Sequence, residues 1–150
     1  MGVRASRRAA PLILYFDTSA LVKLVIVEDG SEVVSELWAT PYPATSSILS
    51  YPEARAALAA ALRGGRFSVA AHRRASEDFE SLQGELSLIG IDAGLARQAG
   101  ELAEKFALRG YDAVHLASAL STGELVTLVS WDNDLRRAAT ENGCAIAPAD

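Results

Sequence analysis

Five apolar residues in a row, Leu12-Ile13-Leu14-Tyr15-Phe16, run straight into one carboxylate, Asp17, and polar Thr18 and Ser19 follow at once. A continuous apolar run bounded by polar residues reads as a strand buried on both faces, the habit of a parallel sheet covered by helices. Asp17 then lies at the carboxyl edge of that sheet. Open α/β folds bind ligands at this edge, so Asp17 is a candidate site residue ahead of any other. A second apolar run, residues 125–129, leads into Ser130-Trp131-Asp132 and repeats the arrangement.

Helical stretches alternate with these runs. Residues 19–25 predict a short helix with Thr18 or Ser19 as cap. Residues 31–38 predict a second, closed by Pro41-Tyr42-Pro43 because proline cannot continue the hydrogen-bond ladder. The alanine-rich segment 48–63 follows, with Ser46, Ser47 and Ser50 as alternative caps and Pro52 in its first turn. Further helices are expected over 69–82 with Ser68 as cap, from Asp92 to about residue 108, over 113–120 opened by Asp112, and over 135–141 capped by Asn133 or Asp134. Short strands are expected at 44–45, 87–91 and 144–147. The alternation predicts an α/β/α sandwich around a central, mostly parallel sheet of four to five strands.

A chain of 150 residues fits one domain, expected over residues 11–150 behind a flexible basic arm, residues 1–10, that carries Arg4, Arg7 and Arg8. Gly2 and Ser6 also fit the short myristoylation pattern. The single cysteine, Cys144, excludes an internal disulfide and a cysteine-built zinc site, which points to a reducing, cytoplasmic setting. The longest apolar run near the start is too short for a signal-peptide core or a membrane span. The net charge of −5 is uneven: residues 1–74 hold nine Lys and Arg against six Asp and Glu, and residues 75–150 hold five against thirteen. A polyanionic partner therefore needs local basic patches or metal ions.

Four acids stand where such a fold gathers side chains at one edge: Asp17, Glu53, Asp112 and Asp132. Each has an ordinary structural use as a cap, a helix-dipole partner or a turn residue. Brought together, they repel one another unless a cation joins them. An all-oxygen set suits Mg2+ or Mn2+, and such a site does chemistry on phosphates. A magnesium nuclease is the hypothesis that this chemistry favours.

Four blocks carry a family likeness: Tyr15-Phe16-Asp17-Thr18-Ser19-Ala20-Leu21-Val22-Lys23, Ser50-Tyr51-Pro52-Glu53-Ala54-Arg55-Ala56-Ala57-Leu58, Tyr111-Asp112-Ala113-Val114-His115-Leu116-Ala117-Ser118-Ala119 and Leu128-Val129-Ser130-Trp131-Asp132-Asn133-Asp134-Leu135. In this order and at this spacing the chain resembles PIN-domain ribonucleases, and among them the VapC toxins of bacterial toxin–antitoxin pairs. The resemblance implies an endoribonuclease in which Asp17, Glu53, Asp112 and Asp132 surround Mg2+ or Mn2+. It implies supporting roles for Ser19 and Ser130, with Asp134 as an auxiliary acid or a helix cap. The family more often has threonine where Ser130 stands; serine keeps the hydroxyl. The resemblance also implies a VapB-like antitoxin partner, a homodimer and a hetero-oligomer with the antitoxin, with no membrane partner.

Other residues have two readings each. Arg63, Arg66, Arg73 and Arg74, around His72, either grip an RNA backbone or form a solvated helix face. Lys23 either approaches a phosphate or pairs with Glu28. Leu24, Val25 and Trp38 are candidates for an antitoxin groove, against core packing. Tyr42 and Tyr51 either stack on bases or pack. His115 is read as a packed or hydrogen-bonded histidine rather than a general base. The alternative enzyme is a haloacid-dehalogenase-like phosphohydrolase, but that chemistry wants an acid two residues after Asp17, where Ser19 stands. A receiver-type module wants a late lysine, and none follows Lys105. The remaining alternative is a PIN fold that only binds RNA or a partner.

Overall fold

The computed structural model describes residues 12–123 and 125–149. The basic arm and the myristoylation pattern lie outside the described residues. Five strands, β1 (Ile13–Phe16), β2 (Ala44–Ser47), β3 (Ser87–Ile89), β4 (Val126–Val129) and β5 (Ala145–Ala147), form one sheet in the order β3-β2-β1-β4-β5. Every neighbouring pair is parallel, so the sheet is wholly rather than mostly parallel. The helices are α1 (Thr18–Val25), α2 (Ser31–Trp38), α3 (Ser50–Arg63), α4 (Val69–Gln83), α5 (Ala93–Phe106), α6 (Gly110–Ser121) and α7 (Asn133–Glu141).

The apolar run that opens the chain becomes the central strand. In β1, Leu14 and Phe16 pack with residues of α1 to α4, whereas Tyr15 packs on the other face with α5, α6 and α7. Strand β4 divides the same way, Val126 and Leu128 facing Tyr15's layer and Val129 the other. Alternate side chains of a strand point to opposite faces, and here both faces are buried, so a polar group from Leu14 to Phe16 needs a buried partner, as the Tyr15 hydroxyl has in His115. The register aligns Phe16 with Val129, which brings Asp17 and Ser130 side by side at the carboxyl edge.

Four helix starts, those of α1, α3, α6 and α7, differ from the sequence expectation. The cap of α1 is Asp17 itself, whose carboxylate accepts from the Ala20 N–H, and not Thr18 or Ser19. The cap of α7 is Asp132, accepting from the Leu135 N–H, and not Asn133 or Asp134. Helix α6 begins at Gly110, so Asp112 lies within its first turn rather than opening it. Asp and Asn are among the preferred caps, and the residue that wins is the one whose backbone is still extended as the chain leaves the strand. Helix α3 begins at Ser50 with no side-chain cap; Pro52 falls in its first turn as expected, and Ser47 Oγ accepts from the Leu49 N–H just ahead of it.

Candidate active site

The carboxyl edge of the sheet collects the N-terminal ends of α1, α3, α6 and α7, with Asp17 and Asp132 as caps and Glu53 and Asp112 in first turns. Helix N-termini carry partial positive charge, which suits four anions gathered in one place. The two capping aspartates divide their oxygens. Asp17 Oδ1 accepts from Ala20 N at 3.0 Å and from Ser19 Oγ at 2.7 Å, while its Oδ2 accepts from Ser130 Oγ. Asp132 Oδ1 accepts from Leu135 N at 2.9 Å, and its Oδ2 accepts from Arg109 Nη2 at 3.3 Å. One oxygen of Asp132 shapes its helix and the other faces the site.

Ser19 and Ser130 stitch the ends of the two central strands together. Ser130 Oγ donates to Asp17 and accepts from Asp132 N at 3.0 Å; Ser19 Oγ donates to Asp17 and accepts from Trp131 N at 3.2 Å. Both hydroxyls are thereby fully committed to holding carboxylates and the turn after β4. That turn is seated on Gly30, the cap of α2, whose φ of 91° is left-handed and whose missing Cβ would lie 2.7 Å from the Trp131 ring. Only glycine meets both demands.

Glu53 is held through one oxygen, Oε1. His115 Nε2 lies 2.6 Å from Glu53 Oε1, Thr18 Oγ1 donates to the same oxygen at 2.8 Å, and Tyr15 Oη lies 2.7 Å from His115 Nδ1. His115 is buried and hydrogen-bonded, as its sequence reading has it. Arg109 bridges the remaining two acids, with Nε 3.1 Å from Asp112 Oδ2 and Nη2 on Asp132, and its guanidinium lies over the Tyr111 ring.

The charges follow these contacts. Burial pushes the Asp17 carboxyl above its ordinary value, against the opposing effects of His115, Ser130, Ser19 and the Ala20 N–H. Asp112 is also raised, by burial first and by the Asp132 charge second, with Arg109 opposing. Glu53 goes the other way: burial acts to raise it, but His115, Thr18 and Arg109 outweigh that and hold it below the usual carboxylate range. Asp17 is thus an almost wholly buried carboxylate, 4% exposed, whose hydrogen-bond donors are all neutral.

The oxygen-only donor set fits a hard divalent ion, and burial, which pushes the Asp17 and Asp112 carboxyls up, disfavours their charged forms unless a cation offsets it. Among the described residues no three His, Cys, Asp or Glu side chains form a ready-made ligand group for a metal. The four acids therefore share an edge without closing a cage.

The other predicted residues fall elsewhere. Asp134 points to Arg137 at 3.5 Å on the exposed face of α7. Lys23 pairs with Glu28 at 3.1 Å and sits 5.1 Å from the Trp131 ring centre, and Arg66 joins the same Glu28. Arg63, Arg73 and Arg74 are exposed. Arg66 and Arg74 line a cavity of about 360 Å³ with Val25, Ile26, Val27 and Phe67, beyond the far end of α1. Eight residues of helix put that end about 12 Å from the acids. Leu24, Val25 and Trp38 are half-buried against the core, Trp38 edge-on to Phe16 at 5.4 Å. Tyr51 donates to Glu80 and stands next to Phe79, and Tyr42 is exposed.

Sequence reasoning missed Arg109, Thr18 and Tyr15. The i, i+3 spacing of Arg109 and Asp112 was the available signal for the first. For Tyr15 the signal was a phenol inside an otherwise aliphatic and Phe run, since a buried hydroxyl needs a partner.

Residues 14–141 match the PIN domain family. The chain is 44% identical to Ribonuclease VapC45 of Mycobacterium tuberculosis (strain CDC 1551 / Oshkosh), covering 91% of this chain and 96% of that protein. It is 36% identical to Ribonuclease VapC46 of Mycobacterium tuberculosis (strain ATCC 25618 / H37Rv), covering 91% and 98%. Among solved structures, Mycobacterium tuberculosis VapC20, a Sarcin-Ricin loop cleaving toxin, superposes with a TM-score of 0.67 at 19% identity, over 83% of this chain and 94% of that one. PAE2754 from Pyrobaculum aerophilum superposes with a TM-score of 0.66 at 22% identity, over 91% and 92%. At those identities the superpositions speak for the fold; the sequence relatives go further, and with them the chain belongs to the PIN-domain family and, within it, to the VapC ribonucleases.

Proposed function

We propose that this protein is a Mg2+- or Mn2+-dependent endoribonuclease that hydrolyses RNA phosphodiester bonds and acts as the toxin of a toxin–antitoxin pair. The observation that carries the reading is the placement of four carboxylates, Asp17, Glu53, Asp112 and Asp132, at one sheet edge, with the most buried of them held only by neutral donors. Asp17, with Glu53, Asp112 and Asp132 around it, would hold the ion. When bound, a divalent ion supplies an activated water and stabilises the leaving oxygen of an in-line displacement at phosphorus. The chain's own residues do the rest. Ser19 and Ser130 fix the direction of the Asp17 carboxylate, and Arg109, exposed and already bonded to Asp112 and Asp132, is placed to meet a phosphate oxygen at the rim.

Arg63, Arg73 and Arg74 are the proposed contacts to the RNA backbone, joined by Lys23 and Arg66 if they exchange Glu28 for phosphate. Leu24, Val25 and Trp38, on α1 and α2, are the proposed contacts to a VapB-like antitoxin. The site works in the cytoplasm, where structured RNA is present, and the protein is proposed to form a homodimer that assembles with its antitoxin. Among the described residues no helix is long and apolar enough to cross a membrane.

Purified protein freed of antitoxin should cut structured RNA with Mg2+ or Mn2+ and stop when EDTA is added. Asp17→Asn should lose cutting by at least a hundredfold while keeping the wild-type circular dichroism; cutting in EDTA, or by that variant at the wild-type rate, would overturn the reading. Expression alone should arrest bacterial growth, and co-expression of the cognate antitoxin should restore it.

A further inference from the structure

Glu53 differs from the other three acids in how it is held. It stands on α3, whose start lacks a side-chain cap and whose first turn contains Pro52, so the helix itself does little to aim it. Its direction comes from a relay that crosses the molecule. Tyr15 lies in the central strand, fully buried, and burial keeps its phenol protonated. Its hydroxyl lies 2.7 Å from His115 Nδ1 and so fixes that end of the ring. At the other end, Nε2 lies 2.6 Å from Glu53 Oε1, and because a carboxylate oxygen only accepts, the ring donates from Nε2. Thr18, the first residue of α1 and the neighbour of Asp17, donates to the same oxygen at 2.8 Å. Two donors thus converge on Oε1, and neither engages Oε2.

We infer that His115, oriented by Tyr15 and assisted by Thr18, is the positioning residue for Glu53: it engages one carboxylate oxygen so that the other is presented in a single direction to a bound cation. The inference rests on the reading of Glu53 as a metal-site carboxylate. His115 itself is 2% exposed, so it reaches neither solvent nor substrate and acts only through Glu53. This is the arrangement in which a partner behind the ligand tunes a metal site, and losing such a partner commonly costs ten- to a hundredfold in metal affinity or activity.

Mn2+ titration of the metal-free protein, followed by the paramagnetic resonance signal of free Mn2+, tests this without any turnover. His115→Ala should weaken Mn2+ affinity about tenfold or more, and in RNA cleavage should lower kcat while leaving KM unchanged. His115→Gln, which keeps a side-chain N–H donor near the Nε2 position, should recover part of the loss. Thr18→Val should act in the same direction and Thr18→Ser should not; this pair carries the test if His115→Ala fails to fold. In a Glu53→Ala background, His115→Ala should have no further effect, because a residue acting through another is silent once that other is gone. Wild-type Mn2+ affinity in both His115→Ala and Thr18→Val overturns the inference, as does a loss that persists without Glu53. Wild-type protein that binds no Mn2+ would remove the metal-site reading and this inference with it, whereas normal binding and cutting by all His115 and Thr18 variants would remove this inference alone.

Discussion

Asp17 and Glu53 are both carboxylates at helix starts on the same edge, yet their surroundings push them in opposite directions. Asp17 is raised, chiefly by burial. The folded protein therefore holds its proton more tightly than the unfolded chain does, and stability falls as pH climbs from the unfolded carboxylate value, about 4, through the folded one. Glu53 is lowered despite its burial, so its contribution is present above the unfolded value and is lost as pH falls through the folded one. In EDTA at pH 7, Asp17→Asn should raise the melting temperature, because it removes a carboxyl whose charged form burial disfavours. Glu53→Gln should lower it, and both differences should shrink as the pH is brought down towards about 4. A calorimetric pH series in which Asp17→Asn melts below wild type at neutral pH would contradict this account. The site in this view stores instability that a cation relieves, the usual conflict between activity and stability.

The helix starts and strand ends decide how well that site is built. The turn after β4 is anchored from two sides: Ser19 and Ser130 bond it to Asp17, and Gly30 gives the Trp131 ring room. Gly30→Ala brings a methyl group into that ring and forces a left-handed backbone on a residue that resists it by about 1–2 kcal/mol. Urea denaturation should show a loss of at least that size, and cleavage should fall with it because Asp132 follows Trp131. Ser68 offers a contrast. It caps α4 on an exposed surface, accepting from Ala71 N, so Ser68→Ala should cost about 1 kcal/mol by the same assay. Cleavage per folded molecule should not change, since α4 supplies none of the four acids.

For the whole molecule the central strand is the weak point. Phe16 is fully buried between the sheet and α1, α2 and Trp38, and its removal leaves a cavity that the sheet cannot collapse to fill. Phe16→Ala should cost about 3–5 kcal/mol, against a total of about 5–15 for a domain. It should lose activity with a lowered urea midpoint, where Asp17→Asn loses activity with a raised one. The net charge of −5 sets a second expectation, that RNA binding leans on few cations. For single-stranded RNA each phosphate contact contributes about −0.7 to the slope of log affinity against log salt. Replacing Arg73 and Arg74 together should flatten that slope by about 1.4 if both touch phosphate. An unchanged slope would return them to an ordinary solvated helix face.

The apolar runs, the turn residues and the carboxylates that follow the strands are all legible in the sequence, because burial and helix capping leave local patterns. The prolines after residues 31–38 mark where that helix ends, and the positions of the four acids at strand ends and helix starts are read from the same local patterns. Caps were less legible: Asp17 and Asp132 compete with nearby Thr, Ser and Asn of similar preference, and the strand's exit geometry chooses among them. What the sequence by itself determined is that the first strand is buried on both faces and that an acid stands at its end. Only the tertiary structure decided who holds each acid. Tyr15 meets His115 across a separation of 100 residues and Ser130 meets Asp17 across 113. Periodicity reports the direction in which a side chain points, whereas a hydrogen bond under 3 Å depends on the register of strands and the packing of helices from distant parts of the chain.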